Sequence, residues 1–204
     1  MRRLLLISLL VGMVPASTAH AAPILYTFQG TFAYYSNTPG FGPGVSFSGT
    51  FLYDPAATLV SSGGNESDWA SNVAHISITV NGVTYPTASP ISYRTADNEF
   101  VIGTELPGAT YDLLGAFAPL AGHPFNVAIL FGDVDLNVFT SPPSVLPPSL
   151  GGFDLAALAV GSNEPFYHSE GDIDSFQPVP EPATLLLLGT GVLSAGVVRR
   201  RRGQ

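Results

Sequence analysis

The sequence predicts an all-β domain, an antiparallel β-sandwich or jelly roll, with an N-terminal signal peptide and a C-terminal transmembrane helix. Three observations predict the β domain. Short runs of alternating apolar and polar residues recur along the chain, and many of its 22 glycines and 18 prolines lie between those runs. No long stretch outside the two ends has the apolar period of an amphipathic helix. Ten or so short strands separated by turn residues are typical of sandwiches and jelly rolls.

The first element is the N-terminal segment, residues 1–21. Met1 to Arg3 is a short basic region, Leu4 to Val14 is apolar, and Ala19-His20-Ala21 has the small-x-small pattern of a cleavage site. These three parts in this order are typical of a secretory signal peptide. We therefore expect the chain to be exported, with cleavage after Ala21 and a mature domain over residues 22–178.

The first two strands are predicted from a repeated phrase, F-x-G-T-F-x-Y. It occurs at Phe28–Tyr34 and again at Phe47–Tyr53, and in each copy the aromatic residues alternate onto one face. The segment between the copies, Pro39–Gly44, is rich in glycine and proline. The pattern predicts two neighbouring antiparallel strands, in which the glycines relieve crowding between facing aromatic rings.

The following elements are predicted from alternation and turn residues. Ser61–Asp68 is polar and is expected to be a loop. Val73–Val80 alternates, and Asn81-Gly82 turns it into Val83–Tyr85, which is a strong hairpin signal. Further strands are expected at 91–95, 99–103, 109–117, 125–131, 134–139, 153–160 and 173–177. The proline-rich segment 141–148 is expected to be a stiff surface connection.

The charge of the predicted domain is strongly acidic. Fourteen of the fifteen acidic residues lie in 22–178, where Arg94 is the one basic side chain other than histidine. Binding of nucleic acid is therefore not expected, because phosphate contacts need lysine and arginine. Divalent cations would be attracted. The chain has no cysteine, which excludes disulfides and cysteine-based metal sites.

Acidic residues give the best candidate for a metal site. Asp133, Asp135 and Asn137 alternate with apolar residues and are expected on the outer face of one strand, and Asp172 and Asp174 repeat the spacing. If these strands are neighbours, the side chains could bind Ca²⁺ weakly. The other interpretation is a solvated acidic face. No cofactor other than this weak Ca²⁺ is expected.

Candidates for catalysis are few. The three histidines outside the signal peptide, His75, His123 and His168, are scattered, and no nucleophile-elbow motif is present. We therefore assign no catalytic residue. Trp69 is the one tryptophan, and its ring could stack on a sugar or could close the edge of the core.

The C-terminal segment, residues 179–204, has three consecutive parts. Pro180, Glu181 and Pro182 form an extended, exposed box, because each proline disfavours helix in itself and in the preceding residue. Residues 183–198 carry no charge and as a helix would span ~24 Å, slightly less than a ~30 Å hydrocarbon core. The basic cluster that follows is expected to remain in the cytoplasm; it consists of Arg199, Arg200, Arg201 and Arg202. The residues alone are compatible with a processed sorting signal or with a permanent anchor.

This tail closely resembles the PEP-CTERM sorting signal of Gram-negative bacteria, named for the box that Pro180, Glu181 and Pro182 form here. The resemblance implies transient anchoring in the inner membrane and processing near the box by an exosortase, a multi-pass membrane transpeptidase. It also implies a destination at the cell surface or outside the cell, linked to biofilm and to exopolysaccharide as a further partner. We expect a surface or matrix protein that is not an enzyme. The alternative is a secreted carbohydrate-binding or carbohydrate-degrading module.

Overall fold

The computed structural model describes residues 21–34, 38–101, 109–139, 143–163 and 166–180. These residues form eleven strands and no helix, so the prediction of an all-β domain is confirmed. The strands are β1 Ile24–Tyr34, β2 Ser46–Tyr53, β3 Thr58–Gly63, β4 Glu66–Ser71, β5 His75–Val80, β6 Val83–Pro86, β7 Ile91–Val101, β8 Ala109–Pro119, β9 Asn126–Asp133, β10 Leu155–Asn163 and β11 Phe166–Pro178.

All eleven strands belong to one antiparallel sheet rather than to two hydrogen-bonded sheets. The order is β3-β4-β7-β8-β9-β10-β11-β1-β2-β5-β6. Strands β7 to β11 form a meander, and β1 and β2 continue the sheet beyond β11. The hairpins β3–β4 and β5–β6 form its two edges. The first and last strands of the domain are therefore neighbours in the middle of the sheet.

The sheet curves so that its two halves pack on one aromatic core. The ring of Phe51 in β2 lies 6.4 Å, between centroids, from Tyr93 in β7 and from Phe131 in β9. These strands are far apart in the hydrogen-bonded order, so only curvature of the sheet brings them together. Near one end, a bridge between Thr87 and Leu120 joins the chain after β6 to the chain after β8.

The two copies of the aromatic phrase pair as predicted. In the β1–β2 register, Phe28 lies opposite Gly49 and Gly30 lies opposite Phe47. A Cβ atom on Gly49 would lie 2.4 Å from the ring of Phe28, and one on Gly30 would lie 2.6 Å from the ring of Phe47. Each glycine thus leaves space for the aromatic ring of the other copy.

The edge hairpins show one correct and one wrong prediction. Asn81 and Gly82 have φ of 51° and 78° and join β5 to β6, which confirms the predicted Asn-Gly hairpin. The predicted loop at Ser61–Asp68 is wrong, because β3 and β4 form a second hairpin there. Its turn begins at Gly64, with φ of 62°. Strand β3 is exposed along its whole length and so lacks the apolar alternation that marks a half-buried strand.

Elsewhere the strand boundaries differ from the predictions mostly by one to three residues, and three differences are larger. Residues 91–95 and 99–101 form one strand, β7, interrupted by a register shift after Ala96 where Asn98 has φ of 55°. The predicted strand at 134–139 is wrong, since the chain leaves the sheet after Asp133. Strand β11 begins before the predicted position. A further register shift in β11 keeps Ile173 and Phe176 both packed against the core.

The described part of the proline-rich connection after β9 packs against the domain instead of only lying on its surface. The carbonyl of Pro147 accepts a hydrogen bond from the Tyr53 hydroxyl at 2.6 Å, and that of Pro143 accepts one from Ser67 at 2.6 Å. Leu146 is buried between these two contacts. The connection is therefore part of the packed domain.

The predicted end segments fall almost entirely outside the described residues. Residues 1–20 of the predicted signal peptide, the predicted transmembrane helix at 183–198 and the arginine cluster at 199–202 are not described. Within the described part of the chain, no helix has the length and apolarity needed to cross a membrane.

Candidate functional site

The end of β11 places the start of the C-terminal tail beside the start of the domain. Pro178 lies opposite Tyr26 in the β1–β11 register. The backbone N–H of Val179 then donates to the carbonyl of Leu25 at 2.7 Å. Pro180 follows directly and is exposed. Of the predicted sorting residues, only Pro180 is described, and Glu181, Pro182 and the arginines lie beyond it.

An open cavity of about 520 Å³ lies next to this exit. It forms because β10 pairs with β11 only as far as the Ala157–Asp172 pair, after which the two segments diverge. Phe131 and Phe176 contribute apolar surface to it, and Asp154 and Gln177 contribute polar groups. The last part of β11 consequently has β1 on one side and an opening on the other.

Two of the three oxygen-bearing residues predicted to lie together, Asp133 and Asp135, do so, but in a different geometry. Asp133 ends β9, and Asp135 and Asn137 follow it in a loop rather than on a strand. Carboxylate oxygens of Asp133, Asp135 and Asp154 lie within 4.8 Å of one another. Asp154 therefore takes the third position that the sequence assigned to Asn137. The sequence offers no local signal for this residue, because Asp154 precedes a different strand.

The carboxylate of Asp133 already holds the loop that follows it. It accepts the backbone N–H of Asp135 at 3.2 Å and that of Asn137 at 3.0 Å, each on a different oxygen. Asp133 is buried, whereas Asp135 and Asp154 are exposed. The cluster can thus be explained as loop capping with two solvated neighbours, and Ca²⁺ binding there stays a prediction.

Asp112 is a structural carboxylate that the sequence did not reveal. It is fully buried, and it lies directly opposite Asp133 in the β8–β9 register. Its oxygens accept the backbone N–H groups of Asn98 at 3.2 Å and of Val138 and Phe139 at 2.8 Å each. Three N–H donors compensate for burial of the carboxylate. Asp112 and Asp133 together replace the ladder that a strand at 134–139 would have formed.

The second predicted acidic pair does not join this cluster. Asp172 and Asp174 are exposed on β11, and β10 lies between β11 and β9. The predicted two-strand calcium site required the two acidic strands to be neighbours, and this prediction is wrong because β10 separates β9 from β11. Asp174 lies at the register shift of β11 opposite Gln29 and Gly30, and it lines a separate surface groove.

Trp69 packs in the core and does not present its ring to solvent. It is 6% exposed, and its indole N–H lies 3.2 Å from the hydroxyl of Thr95. The interpretation of Trp69 as a sugar-stacking platform is therefore wrong, and the interpretation as an edge of the core agrees with its burial. The polar residues that precede it in sequence belong to the β3–β4 edge hairpin.

The three histidines lie in separate parts of the sheet. His75 begins β5. His123 lies in the turn after β8, where its ring centroid is 5.1 Å from that of Tyr85 in β6. His168 in β11 contacts the carboxylate of Glu170 through Nε2. No group of metal-ligating residues among those described contains any of these histidines.

The described ion pairs of Arg94 lie on the outer face of β4 and β7. Its Nε donates to Asp68 at 3.0 Å and lies 4.0 Å from Glu66. The hydrogen bond from Arg94, supported by one from Ser61, lowers the pKa of Asp68. The pair is exposed, so it contributes little to stability.

Two buried tyrosines have raised pKa values. The hydroxyl of Tyr53 donates to Pro147, and that of Tyr93 accepts the backbone N–H of Asp54 at 3.2 Å. Burial is the main cause that raises the pKa of both phenols, and in Tyr53 the neighbouring Tyr93 raises it further. Their position in the core indicates a structural role.

A polar groove of about 470 Å³ lies on the outer face of the sheet where β1, β2, β5 and β11 meet. Its lining includes amide, hydroxyl and carboxylate groups, and no lysine, arginine or histidine is among the lining residues. The polar lining residues are Gln29, Thr31, Ser46, Ser48, Thr79, Asn81 and Asp174. Such groups can form hydrogen bonds with a neutral polar ligand, whereas an anion would find no cationic partner.

Comparison with protein families identifies the C-terminal segment. Residues 178–202 match the model of the PEP-CTERM protein-sorting motif. Comparisons with curated proteins and with solved structures found no match. The family match thus covers the tail and only the last residue of the sheet, so it implies sorting through this motif and concerns the tail rather than the β domain.

Proposed function

The chain carries a PEP-CTERM sorting motif, and we propose that it is an exported surface or biofilm-matrix protein that an exosortase processes and that has no catalytic activity. The motif implies export, a membrane-anchored precursor and sorting to the cell surface by exosortase. The match over residues 178–202 is the observation that carries the proposal. Exposure of Pro180 directly after the sheet supports it, because a recognition motif must be accessible.

Structural roles of several buried polar side chains support the proposal that the β domain has a binding or structural function. Two of its buried carboxylates, Asp112 and Asp133, hold the loop after β9 through backbone N–H groups. Its deepest tyrosines pack in the core. We propose that the chain is a substrate of the exosortase, with Pro180, Glu181 and Pro182 as recognition residues.

The test is the mass of the mature protein in the native host. We expect the surface fraction to lack the residues beyond the Pro-Glu-Pro box. Glu181→Ala, or deletion of the four arginines at 199–202, is expected to leave a longer precursor in the membrane fraction. A host without exosortase should accumulate the same precursor. An intact C-terminus on the wild-type surface protein would contradict the proposal.

The second candidate is a carbohydrate-binding module, and the polar groove favours it. Its amide, hydroxyl and carboxylate groups suit a neutral polysaccharide, while the acidic domain would repel an anionic one. Affinity electrophoresis in gels with neutral or anionic polysaccharides tests this candidate. Retardation by a neutral polymer that is lost in the double variant Gln29→Ala and Asp174→Ala, and kept in the off-groove control Asp172→Ala, would support it. Equal mobility in all gels would exclude it.

A further inference from the structure

The sorting motif begins within the folded sheet, because its first residue is also the last residue of β11. The matched segment begins at residue 178, and Pro178 is paired with Tyr26 of β1. Val179, the second residue of the segment, donates its N–H to Leu25 at 2.7 Å. The motif therefore does not begin after a flexible linker, since Pro178 is the last residue of β11 and the N–H of Val179, just beyond the strand, is bonded to β1.

The prolines of this segment lie where they disturb no pairing. In an antiparallel strand, alternate residues direct their N–H groups to the same neighbour. Because Val179 donates towards β1, positions 178 and 180 face the opposite side, where β10 has already diverged from β11. Pro178 and Pro180 thus lose no hydrogen bond to β1. They also remove the donors with which another strand could pair on the open side.

The alternation of proline and Val179 therefore has a defined effect on the backbone. The N–H that β1 needs is present, the N–H groups on the open side are absent, and both prolines fix φ near the extended region. Pro178, Val179 and Pro180 are all exposed on their side chains. The fold delivers the first residues of the motif extended and accessible.

We propose that β1 is a positioning element for processing of the sorting motif, acting through the Leu25–Val179 hydrogen bond. This inference rests on the proposed function as an exosortase substrate. The bond fixes the point at which the tail leaves the body and holds that point extended. A substrate that is already ordered loses less conformational entropy when an enzyme binds it. Val179 is thus a positioning residue, distinct from the recognition residues of the box.

The first test compares two substitutions at Val179 in the full-length protein in its host. Val179→Pro removes the N–H that Leu25 accepts, while Val179→Thr keeps the N–H and the β-branched shape. We expect Val179→Pro to slow conversion of precursor to mature protein by roughly three- to ten-fold, the effect of losing one hydrogen bond. Val179→Thr should be processed at the wild-type rate. Pulse-chase labelling measures both rates.

The second test keeps the hydrogen bond and separates the box from the body by a short flexible spacer. The four residues Gly-Ser-Gly-Ser are inserted between Val179 and Pro180. The control places the same insertion between Gly63 and Gly64 in the β3–β4 edge hairpin. Both glycines have open space around them. The tail insertion should slow processing, and the hairpin insertion should not. The melting temperature of each precursor should stay within about 2 °C of wild type, which separates positioning from a loss of stability.

The outcomes separate the two proposals. If the wild-type protein is not processed, the proposed function fails, and the positioning role fails with it. If the wild type is processed and the tail insertion is processed equally fast or faster, only the positioning role is overturned. The insertion keeps the test decisive even if Val179→Pro does not fold.

Discussion

Substitution of Gly30 by alanine tests whether the repeated aromatic phrase is held together by its glycines. A Cβ atom at position 30 would lie 2.0 Å from the backbone oxygen of Asp172 and 2.6 Å from the ring of Phe47. The ring could rotate, but the backbone oxygen cannot retreat easily. Asp172 is paired on both sides, with Ala157 in β10 and Thr31 in β1.

The magnitude follows from this geometry. Overpacking of a core that must shift its backbone costs ~3 kcal/mol, the upper part of the usual range. For a domain of this size, that corresponds to a fall in melting temperature of roughly 6–12 °C. The measurement is thermal unfolding of residues 22–180, followed by circular dichroism in the β region.

Two matched glycine substitutions serve as controls. Gly63→Ala has nothing within 4 Å of its new Cβ, and in Gly115→Ala the close contacts are to the side chains of Phe117 and Leu130. Phe117 is 40% exposed and can move away. Both controls should stay within about 1 kcal/mol of wild type, since alanine also lowers the entropy of the unfolded chain. If Gly30→Ala is as stable as Gly63→Ala, the proposed close packing of Gly30 against the backbone of Asp172 in β11 and the ring of Phe47 in β2 is wrong.

Three further predictions concern charge and ionisation. Asp112→Ala should lower the free energy of unfolding by ~3 kcal/mol or more in urea titrations, because three backbone N–H groups lose their acceptor, whereas exposed Asp174→Ala should change it by less than ~0.5 kcal/mol. Burial raises the pKa of Tyr53 and Tyr93 above the value of 10.0 that a tyrosine has in the unfolded chain. The folded state therefore favours the neutral phenols, and the free energy of unfolding should fall as the pH rises above 10.0. Ultraviolet titration should show these phenols ionising only with unfolding, and phenolate absorbance from all tyrosines in the folded protein would contradict this. Calcium, magnesium and sodium chlorides of equal ionic strength should raise the melting temperature alike, as expected for screening of an acidic surface, while a calcium-specific gain that Asp135→Asn removes would establish the predicted site.

Local turn chemistry and aromatic alternation were sufficient to predict much of the sheet. The Asn81-Gly82 hairpin and the pairing of the two aromatic phrases follow from residues that are close in sequence. The hairpin β3–β4 escaped prediction because β3 is exposed on both faces, so no apolar pattern marks it. An edge strand of this kind is specified by its neighbour, not by its own periodicity.

The candidate site depended more on contacts between distant residues. The alternation of apolar and polar residues in 134–139 is typical of a strand. The N–H of Val138, which a strand would use for pairing, instead donates to Asp112, 26 residues away. Asp154 reaches the same cluster from the start of another strand. These contacts depend on the order of strands in the sheet, which periodicity does not specify. The sorting motif was predictable because its box lies within a few consecutive residues.

The central position of β1 and β11 affects the order in which an exported chain can fold. A chain that crosses the membrane from its N-terminus delivers β1 and β2 first and β11 last, with nearly the whole domain between them. Until β11 arrives, one edge of β1 has no partner, and its backbone can pair with another copy of the chain. Long-range pairing of this kind is also slow to form. The yield of folded protein should therefore depend on the rate of translocation as well as on the stability of the finished sheet.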